Sequence, residues 1–181
     1  MVEIISAKGK RQRRDILVSI LKNEKRMAEN NTYTQIHIQI VFAVKFRNSQ
    51  IQKEWKDELY KYITGIIQHN KHKLLAINGV SDHIHIFVGM RSHQSLSDLV
   101  KDIKGCSSKW INEKKFLPTR FEWQNSFGAF SYGKSQVESV IQYINNQEEH
   151  HKKTDFKTEY IAFLEKFEVE YDLKFIFKDL I

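Results

Sequence analysis

The sequence predicts an α+β domain with the element order β-α-β-β-α-β, followed by two more helices. Four runs alternate apolar and polar residues with period two. Two longer segments between them repeat apolar residues at spacings of three and four. The chain has 181 residues and is 41% hydrophobic, enough for one domain with a sizeable core.

The first strand is "YTQIHIQIVFAVKF", with Ile36, Ile38, Ile40, Phe42 and Val44 on one face. "IQKEWKDELYKYITGIIQ" follows as an amphipathic helix through Ile51, Trp55, Leu59, Tyr62 and Ile66. "KLLAINGV" and "DHIHIFVGM" make a hairpin around 79–82. "SLSDLVKDIKGCSSKWINEK" is a second helix, with Ser95 as N-cap and Leu96, Leu99, Val100, Ile103 and Trp110 inward. "RFEWQNSFGAFSY" closes the set as a strand bent at Gly128. This order is that of a ferredoxin-like sandwich with an antiparallel sheet.

A further helix reads from "SQVESVIQYINNQEEHH", with Ser135 and Glu138 as a capping box and Val137, Val140, Ile141 and Ile144 as its packing stripe. At about 100° per residue, Tyr143 and Gln147 sit roughly 40° apart at one border of that stripe, one turn from each other. Residues 155–170 form the last helix, through Phe156, Tyr160, Phe163 and Phe167. The domain is expected to span residues 31–172, with a tail from 173 and a basic leader over 1–30.

The net charge is +7, but it is uneven: +5 over residues 1–27, +5 over 28–154 and −3 over 155–181. Much of the basicity belongs to "KGKRQRR", so charge alone argues weakly for a nucleic-acid partner. "MAENNTYTQIHIQIVF" reads as a natural start at Met27, which makes residues 1–26 a dispensable extension. Cys106 is the one cysteine, which excludes an internal disulfide and fits a reducing cytoplasm. No apolar run is long enough to span a membrane.

The chemistry is expected at "SDHIHIFVGM". Side chains in a strand alternate, so His83 and His85 share one face while Ile84, Ile86 and Val88 point to the core. Alone, an H-x-H pair is usually two half-exposed sheet residues. Added to Tyr143 and Gln147 it gives two nitrogen ligands, an amide oxygen and a phenol one turn away. That set could hold a divalent cation and aim a tyrosine nucleophile at a bound phosphate.

The H-hydrophobic-H strand, the "YINNQ" helix and the framing segments "NTYTQIH", "SDLVKDIKGCSSKWINEKK", "FEWQ" and "GAFSY" resemble the HUH single-tyrosine transposases. These serve single-strand, peel-and-paste insertion sequences and include REP-associated relatives. The resemblance runs from about Asn31 to about Asp172. It implies a ferredoxin-like fold, a homodimer with sites shared between chains, and cytoplasmic cleavage of single-stranded DNA at hairpin-marked ends. By position, His83, His85 and Gln147 would ligate Mg²⁺ or Mn²⁺, and Tyr143 would be the nucleophile. Two departures stand out: Ser81 where the family often has Pro, and Ser126-Phe127 where it often has Gly-Tyr. The leader has no counterpart in the family pattern.

Rival readings lack their residues. A single-stranded RNA module of the RRM type needs a basic-aromatic strand that "DHIHIFVGM" does not supply. A two-histidine phosphoesterase needs a further histidine strand, but position 87 is Phe and His37 precedes Ile-Gln. A domesticated copy without mobility would keep the same chemistry. His37 reads as a sheet-face residue. His150 and His151 read as a solvated helix end, and Cys106 has no evident base to activate it.

Overall fold

The computed structural model describes residues 33–47 and 50–176; the basic leader lies outside the described residues. The order of elements is β1 (Ile36–Ala43), α1 (Lys53–His69), β2 (Lys73–Gly79), β3 (His83–Met90), α2 (Leu96–Lys114), β4 (Gly128–Tyr132), α3 (Val137–Asn145), α4 (Gln147–His150), α5 (Phe156–Lys166) and α6 (Leu173–Ile176). The sheet runs β2-β3-β1-β4 with every neighbouring pair antiparallel, the ferredoxin-like arrangement the alternation predicts. Val41 lies opposite His85, and Ala43 opposite His83.

The period of two divides the side chains between two apolar layers. Ile40, Phe42 and Val44 of the first run, with Ile84, Ile86 and Val88, meet Trp55, Leu59, Ile63 and Ile67 of α1 and Leu99, Val100 and Ile103 of α2. The α1 stripe is thus an i, i+4 row through Ile63 and Ile67, with Tyr62 and Ile66 at its margin. Val41, Ala43, Phe87 and Phe130 face the other way and pack against Val140 and Ile144 of α3 and Phe156, Phe163 and Leu164 of α5. Helices therefore cover both faces of the sheet. His83 and His85 are fully buried, unlike the half-exposed pair that an H-x-H alone usually forms.

Three local expectations also change. The strand after α2 is interrupted: Trp123 bridges to Val44 and the Gln124 N–H donates to Ala43 O at 2.9 Å, but regular pairing starts only at Gly128. A Cβ on Gly128 would meet the Tyr160 ring at 2.8 Å, so glycine there lets α5 approach the sheet. The predicted third helix is two pieces, broken at Asn146 (φ −96°, ψ 17°). Its entry is a 3-10 turn over Lys134–Gln136, where the Gly133 N–H donates to Gln136 Oε1 instead of a Ser135–Glu138 box. Ser95 does cap α2, accepting from the Asp98 N–H at 3.1 Å.

Candidate active site and metal centre

The tight β2–β3 hairpin sets the position of the first histidine. A Cβ on Gly79 would come within 2.2 Å of His83 O, so only glycine permits this approach of the strands. Asp82, the last turn residue, holds His83 Nδ1 at 2.7 Å. One register step on, His85 Nδ1 lies 3.0 Å from Gln39 Nε2 of β1, and Gln39 Oε1 accepts from the Tyr132 hydroxyl of β4 at 2.9 Å. Three neighbouring strands thus brace His85. His37 lies on this same face, its ring 6.1 Å from Phe87, so it is a sheet-face residue as read.

The α3–α4 unit supplies the next groups. Ile144 anchors α3 in the second core, and Asn78 of β2 donates to Asn145 O at 2.9 Å. Tyr143 is carried against His85, with ring centroids 6.1 Å apart. Past the break at Asn146, Gln147 is fully buried. The four residues named from the sequence therefore meet, and they meet within one chain. Gly133 sits in the compact turn that leads into α3.

Two groups at the centre escaped the sequence reading. Glu159 projects from α5 and is 4% exposed. Its Oε1 accepts from the Tyr143 hydroxyl and from Gln147 Nε2, the latter at 3.1 Å. Its Oε2 faces three imidazoles, at 3.2 Å from His85 Nε2, 3.3 Å from His151 Nε2 and 3.5 Å from His83 Nε2. His151 is no solvated terminus: its side chain is 9% exposed and its Nδ1 lies 2.7 Å from Thr154 O. His150 is half-buried, with its ring 5.3 Å from Tyr143. Both residues had a signal in the sequence. His151 continues the four-residue step of Tyr143 and Gln147, and Glu159 interrupts an apolar stripe between Phe156 and Phe163.

The charges follow from this packing. Burial opposes ionisation of Glu159, but the imidazoles of His151, His83 and His85 facing it outweigh that and hold the carboxyl far below its usual range. Burial pushes His85 down to about 4, so it is neutral at physiological pH. Burial and the Glu159 charge together push the Tyr143 phenol well above its ordinary value. Beside Tyr143 opens a cavity of about 500 Å³, walled by Tyr132, Gln136, Ser139, Glu159 and Lys166.

The donor set fits a cation. Inner atoms of His83, His85, His151 and Glu159 lie within 4.8 Å of one another. His83 Nε2, His151 Nε2 and Gln147 Oε1 are buried with no hydrogen-bond partner, and such orphans are rare unless a ligand satisfies them.

A model of the family described as IS200-like transposases matches residues 32–147, well over half of the chain. The chain belongs to that family. The ISDra2 transposase TnpA of Deinococcus radiodurans is 22% identical to this transposase over 118 residues, 62% of this chain and 84% of that one. A crystal structure of a transposase candidate from Deinococcus radiodurans aligns with a TM-score of 0.53 at 22% identity, over 65% of this chain and 95% of the other. A REP-associated tyrosine transposase, solved bound to a REP hairpin, aligns with a TM-score of 0.52 at 15% identity over 67% and 72%. These structural likenesses bear on the fold, which they share with this transposase. The matched stretch contains His83, His85, Tyr143 and Gln147; His151 and Glu159 lie beyond its end. No helix among the described residues is long and apolar enough to cross a membrane.

Proposed function

We propose that this IS200-like transposase cleaves and rejoins single-stranded DNA at hairpin-marked ends through a 5′-phosphotyrosine link on Tyr143. The observation that carries the proposal is the shared carboxylate. Tyr143 donates to one oxygen of Glu159 while the imidazoles of His83, His85 and His151 face the other. A nucleophile and a cation site so joined suit phosphoryl transfer. The REP-associated relative, solved with a hairpin, makes hairpin DNA the first substrate to try.

Tyr143 does not rest as a phenolate, because burial and Glu159 disfavour the anion. Glu159 Oε1 orients the phenol by accepting its hydrogen bond; the phenol proton is released as its oxygen attacks phosphorus and the P–O3′ bond breaks, and the departing 3′-oxygen takes up a proton. The link keeps the phosphodiester energy, so a 3′-hydroxyl can reverse the reaction and join strands. Gln147 holds the carboxylate through Nε2 and leaves its Oε1 for a cation. A divalent ion on His83, His85 and Gln147, Mg²⁺ or Mn²⁺ by resemblance, would polarise the phosphate oxygens and offset charge in the transition state. The cavity beside Tyr143 gives a single strand its approach, with Lys166 at its wall.

The test is a covalent adduct. Wild-type protein with a divalent ion should label on single-stranded hairpin DNA and not on duplex. Tyr143→Phe should abolish the label and leave hairpin binding nearly intact. An undiminished adduct in that variant would place the nucleophile elsewhere.

A further inference from the structure

We infer that His83, His85, His151 and Glu159 form one four-ligand site for a transition ion of the zinc class, in preference to magnesium. The inference rests on the proposed catalytic centre, because it shares His83 and His85, but it concerns which groups complete the ligand set and which ion they choose.

Outer hydrogen bonds decide which ring nitrogens are available. The Asp82 carboxylate lies 2.7 Å from His83 Nδ1. The Thr154 carbonyl, which can only accept, lies 2.7 Å from His151 Nδ1. Both rings therefore carry a proton on Nδ1 and, when neutral, turn a bare Nε2 lone pair inward. Yet both Nε2 atoms face Glu159 Oε2, at 3.5 and 3.3 Å, with no hydrogen-bond partner. With both rings neutral, acceptor would confront acceptor, and a cation between them would turn that repulsion into ligation. A metal-bound histidine commonly gives its outer N–H to a carboxylate or a backbone carbonyl, and both versions occur here. For His85 the Gln39 amide can turn end for end, taking the Nδ1 proton on its oxygen while the Tyr132 hydroxyl takes its N–H.

Spacing and chemistry point to the same class of ion. A tetrahedral ion with bonds of about 2.0–2.1 Å has ligand atoms about 3.3–3.4 Å apart. An octahedral magnesium ion at about the same bond length brings neighbours to about 2.9–3.0 Å. Oε2 lies 3.2, 3.3 and 3.5 Å from the three nitrogens, on the tetrahedral side of that division. All pairs of the set lie within 4.8 Å. Three imidazoles and one carboxylate also match zinc, cobalt or manganese better than magnesium, which prefers oxygen and keeps its waters.

The test uses the full chain without DNA, stripped by chelation and titrated with Co²⁺. An intense visible absorption, the mark of low-coordinate cobalt, should saturate at one ion per chain. Zn²⁺ should displace it at equivalence, and Mg²⁺ in about a thousand-fold excess should not. Glu159→Gln and His151→Asn, checked for native circular dichroism, should each weaken Zn²⁺ binding roughly tenfold or more. The wild-type spectrum alone keeps the test decisive if a variant fails to fold. A weak six-coordinate spectrum, displacement by Mg²⁺, no bound cobalt, or unchanged binding in both variants would overturn the inference. The two readings fail separately: a Mg²⁺-supported adduct without the cobalt signature sinks this one alone, and the signature with no adduct on Tyr143 sinks the cleavage proposal alone.

Discussion

At the scale of single residues, the site is built from side chains that sequence context alone gives little reason to connect. Gln39 faces His85 and Tyr132 at once, and none of the three is near another in the chain. Gln39→Leu strips the Tyr132 hydroxyl of its acceptor and His85 Nδ1 of its partner. The expected loss is about 1–3 kcal/mol of stability, read from the urea midpoint. Lys104 makes a different residue-scale prediction. Burial lowers it to about 8 from 10.5, while its Nζ donates to Asn125 O and Ser126 O. Between those values the unfolded chain holds a proton that the folded chain has released, so stability should rise with pH across that window. Below it both states are protonated and the slope from this group vanishes. Lys104→Met should flatten the rise, measured as urea midpoints from about pH 7 to about pH 10.

At the scale of elements, the alternation in β1 and β3 was legible because a period of two leaves no choice of face. The helices over the first face were equally plain from their apolar rows. The burial of the histidine face was not, because it depends on how α3 and α5 dock, which no local pattern states. The break at Asn146 was hidden too, since "YINNQEEHH" has helical spacing throughout. Glu159 showed only as a charged residue in a stripe of phenylalanines, which a solvated helix border explains as well. Its role exists only once Phe163 docks. That ring stacks on Phe130 at 5.0 Å and reaches Tyr143 at 5.8 Å. Phe163→Ala should cost about 3–5 kcal/mol in chemical denaturation. It should also reduce adduct formation at temperatures where the protein is still folded, because α5 then holds Glu159 less firmly.

At the scale of the whole molecule, the four residues named from the sequence come together inside the described chain, where α3 lies on the sheet, tied there by Asn78 and by the Tyr143–Glu159 contact. The resemblance implies a dimer in which Tyr143 serves the partner's histidines. A mixture of subunits separates the arrangements. Tyr143→Phe combined with a His83→Ala/His85→Ala chain should give no adduct, since every self-contained site then lacks a part. A label on the histidine-free chain in the mixture would show that tyrosines are exchanged between subunits in solution.

The carboxylate on α5 also bears on how such genes decay. The family model's match ends at Gln147, while the group that joins the tyrosine to the imidazoles arrives twelve residues later. A stop codon in that interval would leave the recognisable portion whole and remove α5, and with it one wall of the second core. The product would still count as a family member in any genome census. It would nonetheless lack the carboxylate that joins Tyr143 to the imidazoles, and the number of recognisable copies would overstate the number that keep this centre.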